Sequence, residues 1–289
     1  MKFKALLAAA ALCATQSFAI VGVGGHYAPS FGNKMKGMSA PAPVTTDGSV
    51  LIKHEGFSGT MQGFGFKAWV DILPFIDVEG TFNIQFGSYD ASLFVVKDPA
   101  SLVNSIVTGS TINPDEVVLD EVYKEIPLKL ELGGVPFAEA NPKFVHMNGD
   151  LTITKPFSLF IIRPYIGAGI TYNLNTFILN QSFSSAIVNG AYNAMAQTIL
   201  MDPIAAAQMD QDQFAKKLQD KIVDNLKDAA LEEGLTTSIG FHVMAGVRAK
   251  LPIIPIAAYA NVKYYIGGDY PKEFDAGNVV VEIGGGFAL

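Results

Sequence analysis

The residues of this chain with chemistry to offer recur at even spacings inside otherwise apolar segments. Asp77 and Glu79 are two apart, as are Arg248 and Lys250, and Lys67 and Asp71 are four apart. Asp150, Arg163, His242, Lys263 and Glu282 each sit among apolar neighbours that alternate with them. In a β-strand, even spacing places side chains on one face. The set has acids at Asp71, Asp77, Glu79, Asp150 and Glu282, and bases at Lys67, Arg163, Arg248, Lys250 and Lys263. Near-equal numbers of both signs on one surface predict mutual neutralisation where water is scarce, because an unpaired buried charge is costly.

Other chemistries find little support. His26, His54, His146 and His242 are scattered without metal-ligand spacing. His26, His146 and His242 fall on the polar phase of their segments, so they are expected to complete a hydrogen-bond network. Asp202, Asp210 and Asp212 lack the glycine and terminal glutamate of a calcium loop. Neither Gly22-Val23-Gly24-Gly25 nor Gly167-Ala168-Gly169 has the setting of a nucleotide loop. No Gly-x-Ser-x-Gly occurs, and His54 beside Glu55 is a weak catalytic constellation. The expectation is a protein that is not an enzyme and uses no cofactor or metal. A net charge of −7 argues against nucleic acid as a partner.

The elements that must hold these charges share a layout. Three times, an alternating segment meets a Pro-and-apolar corner and another leads out: at Leu73-Pro74-Phe75, at Lys155-Pro156-Phe157, and at Leu251-Pro252-Ile253-Ile254-Pro255. The strands read as 20–30, 56–71, 76–89, 143–155, 161–175, 236–251, 256–269 and 278–289. Sorting them gives apolar faces such as Ile239, Phe241, Val243, Ala245 and Val247, against Ser238, Gly240, His242, Met244 and Arg248. A soluble barrel would turn the charged faces to water. A narrow membrane barrel turns them inward, where side chains just fill the interior. The first half of 56–71 alternates in the opposite sense, which predicts a bulge or a start above the membrane.

The N-terminus fits export. Lys2 and Lys4 precede the apolar run Ala5–Leu12, and Ser17-Phe18-Ala19 places small residues for cleavage after Ala19. Residues 1–19 therefore read as a signal peptide, leaving 20–289 as the mature barrel without cysteine. Loss of Lys2 and Lys4 takes Lys+Arg from 20 to 18 against 27 acids, about −9. No later segment offers about 18 uninterrupted apolar residues. An exported, apolar, glycine-rich chain without a helical span points to an antiparallel transmembrane β-barrel of about eight strands, because only helices and closed barrels satisfy their backbone in lipid. Ile126, Leu128, Leu130 and Leu132 alternate as a further strand, read as lying above the membrane; ten strands is the alternative.

The corners would turn in the periplasm, and 31–55, 90–142, 176–235 and 270–277 would face outside. Residues 31–55 are Gly/Pro/Ala-rich and read as a mobile connection. Residues 90–142 are long enough to contain a short helix or hairpin. In 183–233, Phe214, Leu218, Ile222, Leu226 and Ala230 recur at helical spacing, predicting a helical insertion in an extracellular loop.

With its signal peptide, the run Arg163-Pro164-Tyr165-Ile166-Gly167-Ala168-Gly169-Ile170 opening a strand, and a Gly-rich last strand, the chain resembles the small Gram-negative outer-membrane β-barrels of the OmpA/OmpW/OmpX-like superfamily. The resemblance implies residence in the cell outer membrane, contact with its lipid, and assembly by machinery that reads the last strand. That strand often ends in an aromatic residue, whereas here Phe287 is two residues short of the final Leu289. The expected function is a structural or surface-interaction protein with a plugged polar lumen, meeting an extracellular partner through 90–142 and 176–235. The alternatives are a narrow pore or lateral route for ions or for small or hydrophobic solutes, and a soluble periplasmic lipocalin-like barrel.

Overall fold

The computed structural model describes residues 21–44, 50–73, 75–97, 119–128, 130–131, 139–157, 159, 161–176, 236–250 and 254–288, with ten single positions between 190 and 225. Its strands are β1 (Val21–Tyr27), β2 (Ser30–Pro43), β3 (Val50–Leu73), β4 (Ile76–Ser88), β5 (Ala91–Val96), β6 (Tyr123–Pro127), β7 (Leu130–Glu131), β8 (Glu139–Ala140), β9 (Lys143–Pro156), β10 (Ile162–Asn175), β11 (Thr236–Lys250), β12 (Ile256–Gly267), β13 (Phe274–Asp275) and β14 (Val279–Ala288).

Eight of them close a ring. β1 pairs with β3, β3 with β4, then β9, β10, β11, β12 and β14 follow, and β14 returns to β1, every pairing antiparallel. The eight-strand reading holds and the ten-strand alternative does not: the segment around Ile126 forms β6, which among the described residues pairs with β5, outside the ring. The expected alternation dictates the two surfaces. Phe66, Phe82, Ile153, Ile166, Ile239, Phe241, Val262 and Ile283 project outward and are exposed, whereas their neighbours along each strand are buried or, at Gly167 and Gly284, half-buried. An apolar outside around a charged inside is the arrangement of a barrel whose surrounding solvent is lipid.

The outward face of β9 measures the band. It runs from Lys143 to Lys155, both exposed, through Val145, Met147, Gly149, Leu151 and Ile153. Twelve residue steps span about 40 Å of strand, which a tilt of about 40° reduces to about 30 Å, the thickness of a bilayer's hydrocarbon core. Each lysine lies over a phenylalanine ring, Lys143 on Phe86 at 6.0 Å and Lys155 on Phe157 at 5.8 Å. Long cationic side chains that keep their heads at the interface are expected there.

Above the ring the strands continue into a second structure, and here one expectation fails. Within 31–55, the described residues form most of β2 and the first six residues of β3. β2 pairs with β3, β3 also with β5, and β5 with β6. The physical reason is burial: Met35, Leu51, Ile52, Met61, Leu93, Phe94, Val95, Tyr123, Phe144 and Phe274 form one apolar core. Where a short helix or hairpin is expected within 90–142, the described residues show the antiparallel pair β5 and β6 and a helical turn over Leu119–Val122. The reversed alternation in early β3 marks this extension. Gly56 and Gly59 carry the change of sense at φ +69° and +137°, a conformation that residues with a Cβ rarely adopt.

The ten described positions between 190 and 225 are all helical, and all but half-buried Asn225 are exposed. They include Lys216, Lys217, Asp220 and Lys221, the polar side of the expected helix. The stripe residues Phe214, Leu218, Ile222, Leu226 and Ala230 lie outside the described residues, as do residues 1–20.

Candidate functional site

The chemistry-bearing side chains meet inside the ring, because each is on the inward phase of its strand. They stack as a column. At the end with the tight corners, Arg163 donates to Asp71 at 2.6 Å and to Asp77 at 3.1 Å. Arg248 reaches Asp71 at 3.3 Å and Asp77 at 3.6 Å, and donates to Glu79 at 2.5 Å. Its guanidinium also lies 4.6 Å from the Trp69 ring and 5.4 Å from that of Tyr165. A planar cation can bond carboxylates along its edge while aromatic rings cover its faces.

One level up, Lys67 bonds Glu79 at 2.8 Å and lies 3.4 Å from Glu282. Lys263 then links Glu282 and Asp150, both at 2.7 Å. Glu282 and Asp150 are further held by neutral donors. Asn83 and Asn261 donate to Glu282 at 3.2 and 2.8 Å. Thr171 and Tyr265 donate to Asp150 at 2.9 and 2.8 Å. These extra bonds matter, since a buried ion pair offsets its desolvation only when the remaining lone pairs are satisfied.

Histidines complete the network. His26 joins Tyr259 and Asn83 at 3.0 and 2.6 Å. His242 lies between the hydroxyls of Thr152 and Thr171, 2.8 Å from each. His146 pairs with Asn175 at 2.7 Å, and its ring packs on Tyr270. Burial pushes the Tyr270 phenol up to about 12, with the nearby Asp150 carboxylate adding to the shift. Beyond Tyr270 the interior turns apolar, with Phe144 against Phe274 at 4.2 Å.

Of the charged residues expected in the column, the structure brings together Lys67, Asp71, Asp77, Glu79, Asp150, Arg163, His242, Arg248, Lys263 and Glu282. Lys250 is not among them: it stands half-buried at the end of β11, outside the ion pairs of the described residues. His54 is buried against Tyr89 at 5.5 Å in the outer core. Sequence reasoning did not single out Trp69 or Tyr265. Their phase, shared with Lys67 and Lys263, was the available signal. Room for Trp69 comes from Gly22, where a Cβ would stand 2.1 Å from the indole.

No family model and no curated protein sequence matches this chain. Two solved structures are similar in outline. One is Ail, the attachment invasion locus protein of Yersinia pestis, in complex with the heparin analogue sucrose octasulfate, at 8% identity and TM-score 0.38, covering 93% of this chain and 97% of that one. The other is the β domain of the Bordetella autotransporter BrkA, at 9% identity and TM-score 0.29, covering 93% and 100%. At such values the barrel rests on this chain's own strand pairing.

Proposed function

We propose that this protein is an integral outer-membrane barrel whose lumen is sealed by its ion-pair column, acting as a structural or surface-interaction protein through the parts above the membrane. The observation that carries the reading is the burial of the column: Lys67, Asp77, Glu79, Asn83, Asp150, Asn261, Lys263 and Glu282 are all 5% exposed or less. Side chains lining a water-filled pore would be open to water. An eight-strand ring has an interior just wide enough for side chains to fill. Water excluded from the lumen leaves the exterior for function, and the chain invests its extra length in β2, β5, β6 and 176–235.

On this reading the inert partners are outer-membrane lipid and, during biogenesis, the barrel-assembly machinery. The specific partner is extracellular and meets 90–142 and 176–235. We assign the protein no catalytic role. Planar-bilayer recordings on the refolded chain test the seal. The expected trace is that of the unmodified membrane. Stable openings in the nanosiemens range would overturn the sealed lumen and favour a narrow pore.

A further inference from the structure

We propose that the barrel wall carries a site for one anionic phospholipid of the leaflet at the tight-corner end, its phosphate on Lys155 and an acyl chain in a trough beside Ala168. The inference rests on the membrane-spanning reading and adds a specific ligand to it.

The trough lies on the outside of β9, β10 and β11 and measures about 800 Å³. Its low point is Ala168, which stands opposite Ile153 on one neighbouring strand and Val243 on the other. Ile153, Ile166 and Val243 are exposed and form the walls, and exposed Phe75 closes the lower end. An aliphatic trough on a surface that faces hydrocarbon fits an acyl chain.

Charge identifies the headgroup. Lys155 lines the trough and stands opposite Ile166. It projects outward, away from the carboxylates of the lumen, and pairs with no acid among the described residues. Its ring contact with Phe157 leaves the ammonium donors free for an anion. Length agrees as well. From Lys155 to Gly149 on the same strand face is about 20 Å, or about 15 Å of depth after tilt, which is half the hydrocarbon core. Near that depth Gly149 and Gly80 leave the wall bare, with no atom within 4 Å of where a Cβ would stand. Exposed Leu151 and Ile170 stand between the trough and these glycines, so the bare wall is a second depression at the midplane, within the reach of the same leaflet. The opposite interface has Lys143, but the trough does not extend to it.

Native mass spectrometry on the full chain, refolded in detergent, tests the site with an equal mixture of phosphatidylglycerol and phosphatidylcholine carrying identical acyl chains. Phosphatidylglycerol adducts are expected to exceed phosphatidylcholine adducts severalfold. K155Q should equalise the two lipids, A168F should lower both, and K143Q should leave the preference intact. Folding of each variant is checked by its heat-dependent gel mobility. Equal retention by the unsubstituted protein, or a preference that survives K155Q, overturns the site. So does a species of twice the mass that A168F dissolves, since a second copy then occupies the trough. A chain that folds and stays in water without detergent refutes the membrane reading itself, whereas a folded, detergent-dependent barrel without lipid preference refutes only this site.

Discussion

Replacing Lys263 with methionine tests whether the column is a dry, cooperative unit. Lys263 is fully buried, and its ammonium bridges Asp150 and Glu282 at 2.7 Å each. Methionine keeps an unbranched apolar stem, one atom shorter, and removes the ammonium with its charge and donors. Two carboxylates then lose their shortest cationic contact. Neither is stripped entirely: Glu282 keeps Lys67 at 3.4 Å and two asparagine amides, and Asp150 keeps two hydroxyls. Breaking a buried pair from one side costs about 3–5 kcal/mol, and the retained hydrogen bonds argue for the lower half of that range. About 3 kcal/mol corresponds to about two decades in the folding equilibrium constant.

The assay is built into the chain. Trp69 is the single tryptophan and stacks under Arg248 inside the lumen, so its emission reports the column directly. Urea unfolding of the vesicle-inserted protein, followed at Trp69, should show the Lys263→Met loss. Combining it with Glu282→Gln should cost less than the sum of the two single changes, because each removes the same interaction. A loss below about 1 kcal/mol, the value of solvent-exposed pairs, would mean that water already reaches these ions. That result would refute the sealed column.

Two further outcomes follow from the surfaces. Val243→Arg places a cation on the exposed wall midway along β11 and should lower stability in bilayers by about 2–4 kcal/mol, measured by the same Trp69 titration; an unchanged midpoint would reverse the inside/outside assignment. Leu93→Ala opens a cavity in the outer core, where Leu93 is 1% exposed, at about 2–5 kcal/mol. Limited proteolysis should then cut the outer strands faster while the barrel keeps its heat-dependent mobility, and equal protection of both variants would argue against a separate outer core.

The strand positions were legible because a half-buried strand writes its period of two directly into the sequence. Predicted 76–89 became Ile76–Ser88, and predicted 161–175 became Ile162–Asn175. The outer extension was not legible. Ser30–Pro43 contains glycine, proline and lysine and has no clean alternation. It forms a strand because β3 lies beside it and an apolar core of distant residues lies under it. Early β3 reversed its phase for the same reason: Phe57 and Met61 pack in a core above the ring, whereas Phe64 and Phe66 face outward from the wall. A local pattern records which faces differ, not which solvent or neighbour each face will meet.

By itself the sequence determined that ions of both signs share one surface, that apolar side chains cover the other, and where the chain turns. Strand geometry makes those statements local, so neighbours along the chain suffice. Only the tertiary structure decided which ion meets which. Lys67 and Glu282 belong to strands at opposite ends of the chain, and Arg163 meets Asp71 and Asp77 across the lumen. Those encounters depend on closure, diameter and stagger of the ring, which bring inward residues to one height regardless of their separation in sequence. The same geometry left Lys250 outside the column and brought Trp69 into the space that Gly22 leaves open.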